Sequence, residues 1–248
     1  MGFKERTTKP KKDNKNYYSD YNYFYPEWEN QCTWYVIGRL LELGCKRSDL
    51  INKIPNTNAE NWYNDSKYPK QKEPVAGSYI VYSAGKTHHA ADGMGHVAFV
   101  EHVYPDKAIR ITESGVNMKF QTRILYYPYK FYLNVKNKEN YKLDGFVNVL
   151  NCEVEEYWEK NKDYLVKYHK YLRSTPEVKT GNKTKYKNLI TNAKNKCIKD
   201  SLGYAKYKID VLVNIKEFKT DKKGNIWGRT GTLWLCVEDS TGKQVKKI

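Results

Sequence analysis

The sequence predicts an α+β fold for about the first 150 residues and a β-rich second part. Apolar residues recur at helical spacing over residues 36–43, and a glycine follows as a typical helix stop. Two mostly apolar runs, at residues 96–103 and 108–113, are typical of buried strands. Beyond residue 200 the chain contains short strand-like runs separated by turn signals.

Cys32 lies where the predicted helix begins. Asn30 belongs to the residue types that cap helix N-termini, which places Cys32 in the first turn. The unpaired N–H groups and the dipole of a helix N-terminus lower the pKa of a thiol and favour the reactive thiolate. The alternative interpretation is that Cys32 is a small buried apolar residue.

A histidine and a carboxylate follow at the ends of predicted strands. His96 opens the first apolar run after a glycine-rich segment at residues 92–95, and Glu113 closes the second. A thiol, an imidazole that transfers protons and a carboxylate that orients the ring are the parts of a cysteine hydrolase. Taken singly, His96 also suits a structural hydrogen-bonding role, and Glu113 also suits a surface position.

The order and surroundings of these residues resemble the CHAP family (cysteine, histidine-dependent amidohydrolase/peptidase), in the form found in phage and prophage lysins of Gram-positive bacteria. The resemblance covers about the first 150 residues. It implies a papain-like domain with N-terminal helices packed on an antiparallel sheet. It rests on the segments RTTKP at 6–10, QCTWY at 31–35, NAENWY at 58–63, PVAGSYIVY at 74–82, GHVAFVE at 95–101 and DGFV at 144–147.

The resemblance implies a role for each of three residues. Cys32 would be the nucleophile, His96 the general base, and Glu113 the group that orients the imidazole. Some family members place an asparagine two residues after the acid. This chain has Gly115 at that position, and Asn117 is the nearest candidate to replace the asparagine.

Further candidates for substrate contact lie near the predicted nucleophile. Gln31 is a possible second donor to an oxyanion, beside the backbone N–H of the cysteine. Trp34 and Trp62, with Tyr35 and Tyr63, are candidates to line a substrate groove. The alternative is that these aromatic residues pack in the core, because their burial energies are large.

The C-terminal part carries a shorter resemblance. LRSTP at residues 172–176, followed by Asn182, resembles the start of a bacterial SH3-like domain, which implies a small all-β SH3-like barrel that binds the cell wall. Trp227 and Trp234 are candidate wall contacts, and core packing is the alternative for both. The predicted boundaries are 1–150 for the CHAP catalytic domain, 151–163 for a linker and 164–248 for the SH3-like domain.

The charge of the chain indicates a polyanionic partner. The 248 residues include 44 Lys and Arg against 28 Asp and Glu, a net charge of +16. Residues 151–248 alone contain 22 basic and 12 acidic residues, a net charge of +10. Gram-positive peptidoglycan with its anionic teichoic polymers fits the resemblance. Nucleic acid is the rival partner, but the chain shows no nucleic-acid motif and we do not expect it to bind.

No metal, cofactor or membrane span is predicted. The five cysteines form no CxxC pair, so neither a zinc site nor a disulfide framework is expected. The acids at residues 20–29 lack the alternation of a calcium loop, and His88, His89 and Asp92 match no metal pattern. No apolar run approaches the roughly 20 residues of a membrane helix, and no secretory signal is recognisable.

The sequence therefore predicts a peptidoglycan hydrolase that cleaves an amide bond. An N-acetylmuramoyl-L-alanine amidase is favoured, and an endopeptidase that cuts the stem or the crosslink is the alternative. A non-catalytic protein that binds the wall or another polyanion is the competing class. By analogy with the family we expect a monomer made in the host cytoplasm, which reaches the wall after holin release or as a virion component.

Overall fold

The computed structural model describes residues 3–83, 94–115, 118–132, 140–150, 160–168, 170–178, 180–189 and 191–247. The chain divides into two compact units, residues 1–103 with 107–154 and residues 104–106 with 155–248. The predicted domain boundaries remain predictions, although a strand already begins at residue 162, within the predicted linker. None of the described helices is both long enough and apolar enough to span a membrane.

The first unit begins with helices and continues with an antiparallel sheet. The helices are α1 (Cys32–Glu42), α2 (Arg47–Lys53) and α3 (Trp62–Asp65), with a 3-10 turn at Ala59–Asn61. The strands are β1 (Lys70–Gln71), β2 (Ser78–Ser83), β3 (His96–Val103), β4 (Ile109–Gly115), β5 (Met118–Leu125), β6 (Phe131–Tyr132) and β7 (Asn140–Asn148). Their order is β1-β7-β2-β3-β4-β5, and β6 pairs with β7. Helices followed by strands are compatible with the predicted α+β class.

The central strand β3 is buried on both faces of this sheet. Val97 and Phe99 join the apolar residues of α1 in one core cluster, whereas Ala98 and Val100 belong to a second cluster. Successive side chains of a strand point to opposite faces, so the two clusters lie on opposite sides of the sheet. The strand that begins at His96 is therefore held by packing from both sides.

A buried ion pair ties α1 to β3. Arg39 donates from Nε and Nη2 to the two carboxylate oxygens of Glu101, at 3.0 and 2.8 Å. Thr112 on β4 donates to the same carboxylate at 2.7 Å. Arg39 is 3% exposed and Glu101 is 2% exposed, so both charges need compensation inside the protein. Arg39 also forms an ion pair with Glu42 at 2.7 Å. The Arg39–Glu101 pair fixes the position of α1 on the sheet, and with it the position of Cys32.

The described part of the second unit is mostly β structure. Its strands are β8 (Lys162–Val166), β9 (Cys197–Lys199), β10 (Ala205–Tyr207), β11 (Leu212–Ile215), β12 (Glu217–Thr220), β13 (Ile226–Thr230), β14 (Leu233–Asp239), β15 (Gly242–Lys243) and β16 (Val245–Lys247). A short α-helix, α4 (Thr191–Asn195), and 3-10 turns at Thr180–Asn182 and Tyr186–Asn188 accompany them. The strands form three antiparallel sheets, β10-β9, β11-β8-β16 and β12-β13-β14-β15. None of these sheets is closed within the described residues, so the predicted SH3-like barrel is not shown.

Candidate active site

Cys32 is the first residue of α1. The N-cap is Gln31 and not the predicted Asn30, and no side-chain hydrogen bond caps the helix. Asn30 instead adopts the left-handed region (φ 68°), which asparagine tolerates better than most residues, and its carbonyl accepts a hydrogen bond from Ser114 Oγ at 2.8 Å. The thiol therefore sits at the helix N-terminus, and Cys32 keeps partial solvent exposure.

Three donors surround the thiol. The backbone N–H groups of Thr33 and Val97 donate to the sulfur, and the thiol hydrogen-bonds the ring of His96. Burial alone would raise the pKa of Cys32, but the histidine and the two amides outweigh it and hold that pKa below its usual value. The site therefore favours the thiolate, which is the nucleophilic form.

Gly95 positions the histidine. It has a positive φ of 69°, and a Cβ at this position would lie 2.6 Å from the backbone nitrogen of Glu60 and from the carbonyl oxygen of Tyr82. Glycine alone fits such a close backbone approach. His96 follows as the first residue of β3 and is 2% exposed.

The strand register brings Glu113 to the histidine. Phe99 on β3 pairs with Thr112 on β4, so Glu113 lies opposite Ala98 and diagonally across from His96 on one face of the sheet. The distance between His96 Nε2 and Glu113 Oε2 is 2.8 Å. Because Glu113 occupies Nε2, the other ring nitrogen, Nδ1, is left for the thiol.

Two residues that the sequence analysis did not single out hold Glu113 from the opposite side. Gln121 on β5 pairs directly with Glu113 and donates to Oε1 at 3.0 Å. Arg123, two residues further along β5, forms an ion pair with the same oxygen at 2.6 Å. Only the β4–β5 register brings these side chains to Glu113, so no local motif could have identified them.

The thiol, the imidazole and the carboxylate form one coupled chain. Burial opposes a charged ring, yet the hydrogen bonds that the ring forms with Cys32 and with the Glu113 carboxylate raise the pKa of His96 to about 9. Burial likewise opposes the ionised carboxylate, but His96 and Arg123 lower the pKa of Glu113. The arrangement stabilises a thiolate–imidazolium pair at neutral pH, with a carboxylate behind the ring.

The predicted aromatic contacts lie mainly in the interior. Trp34 is 1% exposed and donates to the Tyr17 carbonyl at 2.8 Å, and Trp62 is fully buried and donates to the Thr57 carbonyl at 3.1 Å. Tyr35 is fully buried as well. This burial favours the core-packing alternative for these three residues. Tyr63, beside the core, remains partly exposed, and so does Gln31 at the start of α1.

Both tryptophans of the second unit are also buried. Trp227 is 1% exposed and Trp234 is 7% exposed. The Trp227 indole donates to Asp221 Oδ2 at 3.1 Å, so its polar group is satisfied inside the unit. Their burial favours packing for both residues over direct contact with a wall polymer.

Two points of the sequence analysis remain, the possible role of Asn117 and the expected absence of a metal site. Asn117, His88, His89 and Asp92 lie outside the described residues. Within the described part of the chain, no three metal-binding side chains of the His, Cys, Asp and Glu types cluster.

Comparison with known proteins connects this geometry to a domain family. Residues 17–115 match the model described as the CHAP domain, and this segment contains Cys32, His96 and Glu113. The chain is 37% identical over 91 residues to an N-acetylmuramoyl-L-alanine amidase domain-containing protein of Staphylococcus aureus (strain NCTC 8325 / PS 47). That match covers 37% of this chain and 14% of the relative.

A solved structure is also similar. It is a 2.15 Å crystal structure of an N-acetylmuramoyl-L-alanine amidase from Staphylococcus aureus, at 28% sequence identity and a TM-score of 0.34. The match covers 47% of this chain and 31% of that one. The chain thus spans less than a third of the length of either relative.

Proposed function

We propose that this chain is a peptidoglycan hydrolase that cleaves an amide bond with Cys32, His96 and Glu113. The observation that carries the proposal is the continuous hydrogen-bonded chain from a thiol at a helix N-terminus through a buried imidazole to a buried carboxylate. The CHAP match over residues 17–115 supports the substrate class.

The reaction follows from the chemistry of these groups. The Cys32 thiolate attacks the amide carbonyl carbon, and the electron pair of the C=O bond moves to oxygen. As the tetrahedral intermediate collapses, the C–N bond breaks, the His96 imidazolium gives its proton to the leaving amine, and a thioester remains. Neutral His96 then takes a proton from water, the hydroxide displaces the thiolate, and a carboxylic acid is released.

Two further groups are proposed to assist. The backbone N–H of Cys32 is at the first helical position, where no intrahelical acceptor exists, and it is free to donate to the oxyanion. Gln31 is proposed as a second donor because it adjoins the thiol and remains partly exposed. Glu113 keeps the ring oriented and favours its protonated form.

The lactyl-amide bond between N-acetylmuramic acid and L-alanine is the favoured target. The Staphylococcus aureus relative that is 37% identical over 91 residues carries the name of this amidase in its description, which supports the choice. Cleavage within the stem or the crosslink is the alternative, since the same three groups serve any amide. The phage origin, the release route, the monomeric state and the SH3-like character of the second unit stay predictions.

Mass spectrometry of wall digests tests the proposal. Purified Gram-positive sacculi are incubated with wild type, with Cys32→Ala, and with Cys45→Ala as a matched thiol control outside the site. We expect wild type and Cys45→Ala to release stem peptides free of glycan, and Cys32→Ala to release none. Peptides cut within the stem or bridge would instead establish an endopeptidase.

A non-catalytic binding protein is the second candidate, and the net charge of +16 is the observation in its favour. It predicts that wild type and Cys32→Ala bind sacculi equally and that neither releases soluble fragments. That result, across several wall types, would overturn the catalytic proposal.

A further inference from the structure

Three segments of the second unit are joined by a ring of backbone hydrogen bonds. Leu172 N–H donates to the Ala205 carbonyl at 3.1 Å, Ala205 N–H to the Thr184 carbonyl at 2.8 Å, and Thr184 N–H to the Leu172 carbonyl at 2.9 Å. Leu172 is 1% exposed and Ala205 is fully buried. Side chains alternate along extended segments, and the neighbours of these positions are partly exposed except Arg173, which is buried.

The partly exposed neighbours form a cluster of two tyrosines and three lysines, which we call the Lys–Tyr patch. Tyr171 and Lys206 are directly opposite each other in one antiparallel bridge, and Lys185 and Tyr204 are opposite in another. Lys183 is two residues from Lys185 on the same segment. All five side chains are partly exposed, so the patch is accessible.

The tyrosine rings hold the ammonium groups in place. Lys183 Nζ lies 4.0 Å and Lys206 Nζ 4.5 Å from the centroid of the Tyr171 ring. Lys185 Nζ lies 3.7 Å from the centroid of the Tyr204 ring and donates to the Leu202 carbonyl at 2.9 Å. Cation–π contacts of this length restrict flexible lysines, so three positive charges are concentrated on one small surface.

The positive charges of the patch have no ion-pair partner among the described residues. No described carboxylate lies within ion-pair distance of the three Nζ atoms. Asp200 is near enough to interact electrostatically with Lys206, but it forms no ion pair with it. Its oxygens accept hydrogen bonds from the Tyr171 hydroxyl at 2.8 Å and from the backbone N–H groups of Leu202 and Tyr204. Within the described part of this unit, the patch is therefore a preorganised cationic surface without an ion-paired counter-charge.

We infer that the Lys–Tyr patch is a binding site for a base-free phosphodiester polymer, such as a chain of polyol phosphates. Closely spaced ammonium groups are point charges suited to successive phosphates, and residues 151–248 carry a net charge of +10. Single-stranded nucleic acid is disfavoured because its bases need open aromatic faces for stacking, and here lysines cover the tyrosine rings.

The inference deepens the proposed function by naming what docks the chain on an anionic wall. It concerns binding alone, so it can be tested on full-length Cys32→Ala protein, in which wall digestion does not interfere. A failure of the catalytic proposal would leave this binding result unaffected.

The experiment measures the affinity of that protein for soluble poly(glycerol phosphate) by isothermal titration calorimetry. Replacing Lys183, Lys185 and Lys206 with glutamine should weaken binding at least tenfold. It should also lower the slope of log Kd against log salt concentration by about 2, because each neutralised phosphate contributes about 0.7 to that slope. The Lys→Arg triple variant retains the charges and should bind within about threefold of the parent.

A matched control distinguishes the effect of the Lys–Tyr patch on binding from the effect of the net charge. Lys160, Lys222 and Lys223 are exposed lysines of the same unit with no ring contact among the described residues, and their Lys→Gln triple variant changes the net charge equally. We expect it to bind within about twofold of the parent. Equal loss in both glutamine triples, or no loss in either, would overturn the site. Tighter binding of single-stranded DNA with the same number of phosphates would overturn the choice of a base-free polymer.

Discussion

At the scale of single residues, the ionisation of His96 depends on the carboxylate behind it. Glu113 is fully buried, and both of its oxygens are engaged by His96, Gln121 and Arg123. A carboxylate so placed stabilises the imidazolium and therefore the thiolate of Cys32. We expect the rate of hydrolysis to rise as the thiol ionises and to fall as the imidazolium deprotonates near pH 9.

Replacing Glu113 with glutamine removes the negative charge but keeps the shape. His96 then loses its proton at a lower pH, because one of the two groups that raise its pKa is gone. We expect the alkaline limb of the kcat/KM profile on dye-labelled sacculi to move down by about one pH unit or more. The exposed Glu73→Gln variant is the control, and an unchanged alkaline limb in Glu113→Gln would contradict this role.

Arg123 is predicted to be a positioning residue that acts through Glu113. In Arg123→Ala the carboxylate loses its 2.6 Å ion pair and gains freedom to leave the histidine. We expect kcat to fall about tenfold, which corresponds to an increase of about 1.4 kcal/mol in the activation free energy, with little change in KM. Arg123→Lys keeps the positive charge and should recover part of the lost kcat. Lys119→Ala, exposed on the same strand, should retain full activity. Equal losses in the alanine and lysine variants of Arg123 would speak against a charge-dependent role.

At the scale of elements, the attachment of α1 to the sheet depends on a buried pair of opposite charges. Removing the Glu101 charge leaves Arg39 with only one ion-pair partner among the described residues, the partly exposed carboxylate of Glu42 at 2.7 Å. We expect Glu101→Gln to lower the free energy of unfolding by about 1–3 kcal/mol, because glutamine accepts hydrogen bonds but carries no charge for the buried guanidinium. Urea unfolding of the full chain, followed by tryptophan fluorescence, measures the loss.

Two variants sharpen this prediction. Replacing Lys107 by alanine breaks its exposed ion pair with Glu73 and should change the free energy of unfolding far less than Glu101→Gln does. The double variant Arg39→Met with Glu101→Leu should be less destabilised than Glu101→Gln, because it removes both buried charges together. A cost for Glu101→Gln no larger than that of Lys107→Ala would refute the structural role.

The elements also show where sequence patterns are informative. The helix that starts at Cys32 and the strand that starts at His96 were predicted from apolar periodicity, because burial imposes that periodicity directly. The N-cap was wrong by one residue: Asn30 suits a left-handed turn as well as a cap, and its carbonyl hydrogen bond to Ser114 comes from a distant strand. For Trp34 and Trp62 the local sequence is not informative enough, because it does not distinguish a core residue from a substrate contact. Their burial follows from the tertiary structure.

At the scale of the whole molecule, the net charge of +16 predicts salt-sensitive association with an anionic wall. Screening shortens the reach of exposed charges from about 10 Å at 0.1 M salt to about 3 Å at 1 M, whereas the buried interaction of His96 with Glu113 is screened much less. We expect binding of Cys32→Ala protein to sacculi to fall more than tenfold between 0.05 and 0.5 M sodium chloride. Hydrolysis of a soluble neutral muropeptide by wild type should change less than twofold, and parallel losses in both assays would contradict the prediction.

The sequence by itself determined the residue types of the candidate site and their order along the chain. A thiol at a helix start, a histidine at a strand start and a carboxylate at a strand end are local features, and local periodicity and turn chemistry are enough to detect them. The positive charge and its concentration in residues 151–248 are likewise properties of the chain alone.

Only the tertiary structure decided which groups meet. Gln121 and Arg123 reach Glu113 because the register of β4 with β5 places them on one face, and the Lys–Tyr patch exists because three separate segments close a ring of hydrogen bonds. Register and long-range pairing arise from the packing of the whole unit, so residues that belong to no motif in the sequence become the partners of the carboxylate and the cationic surface.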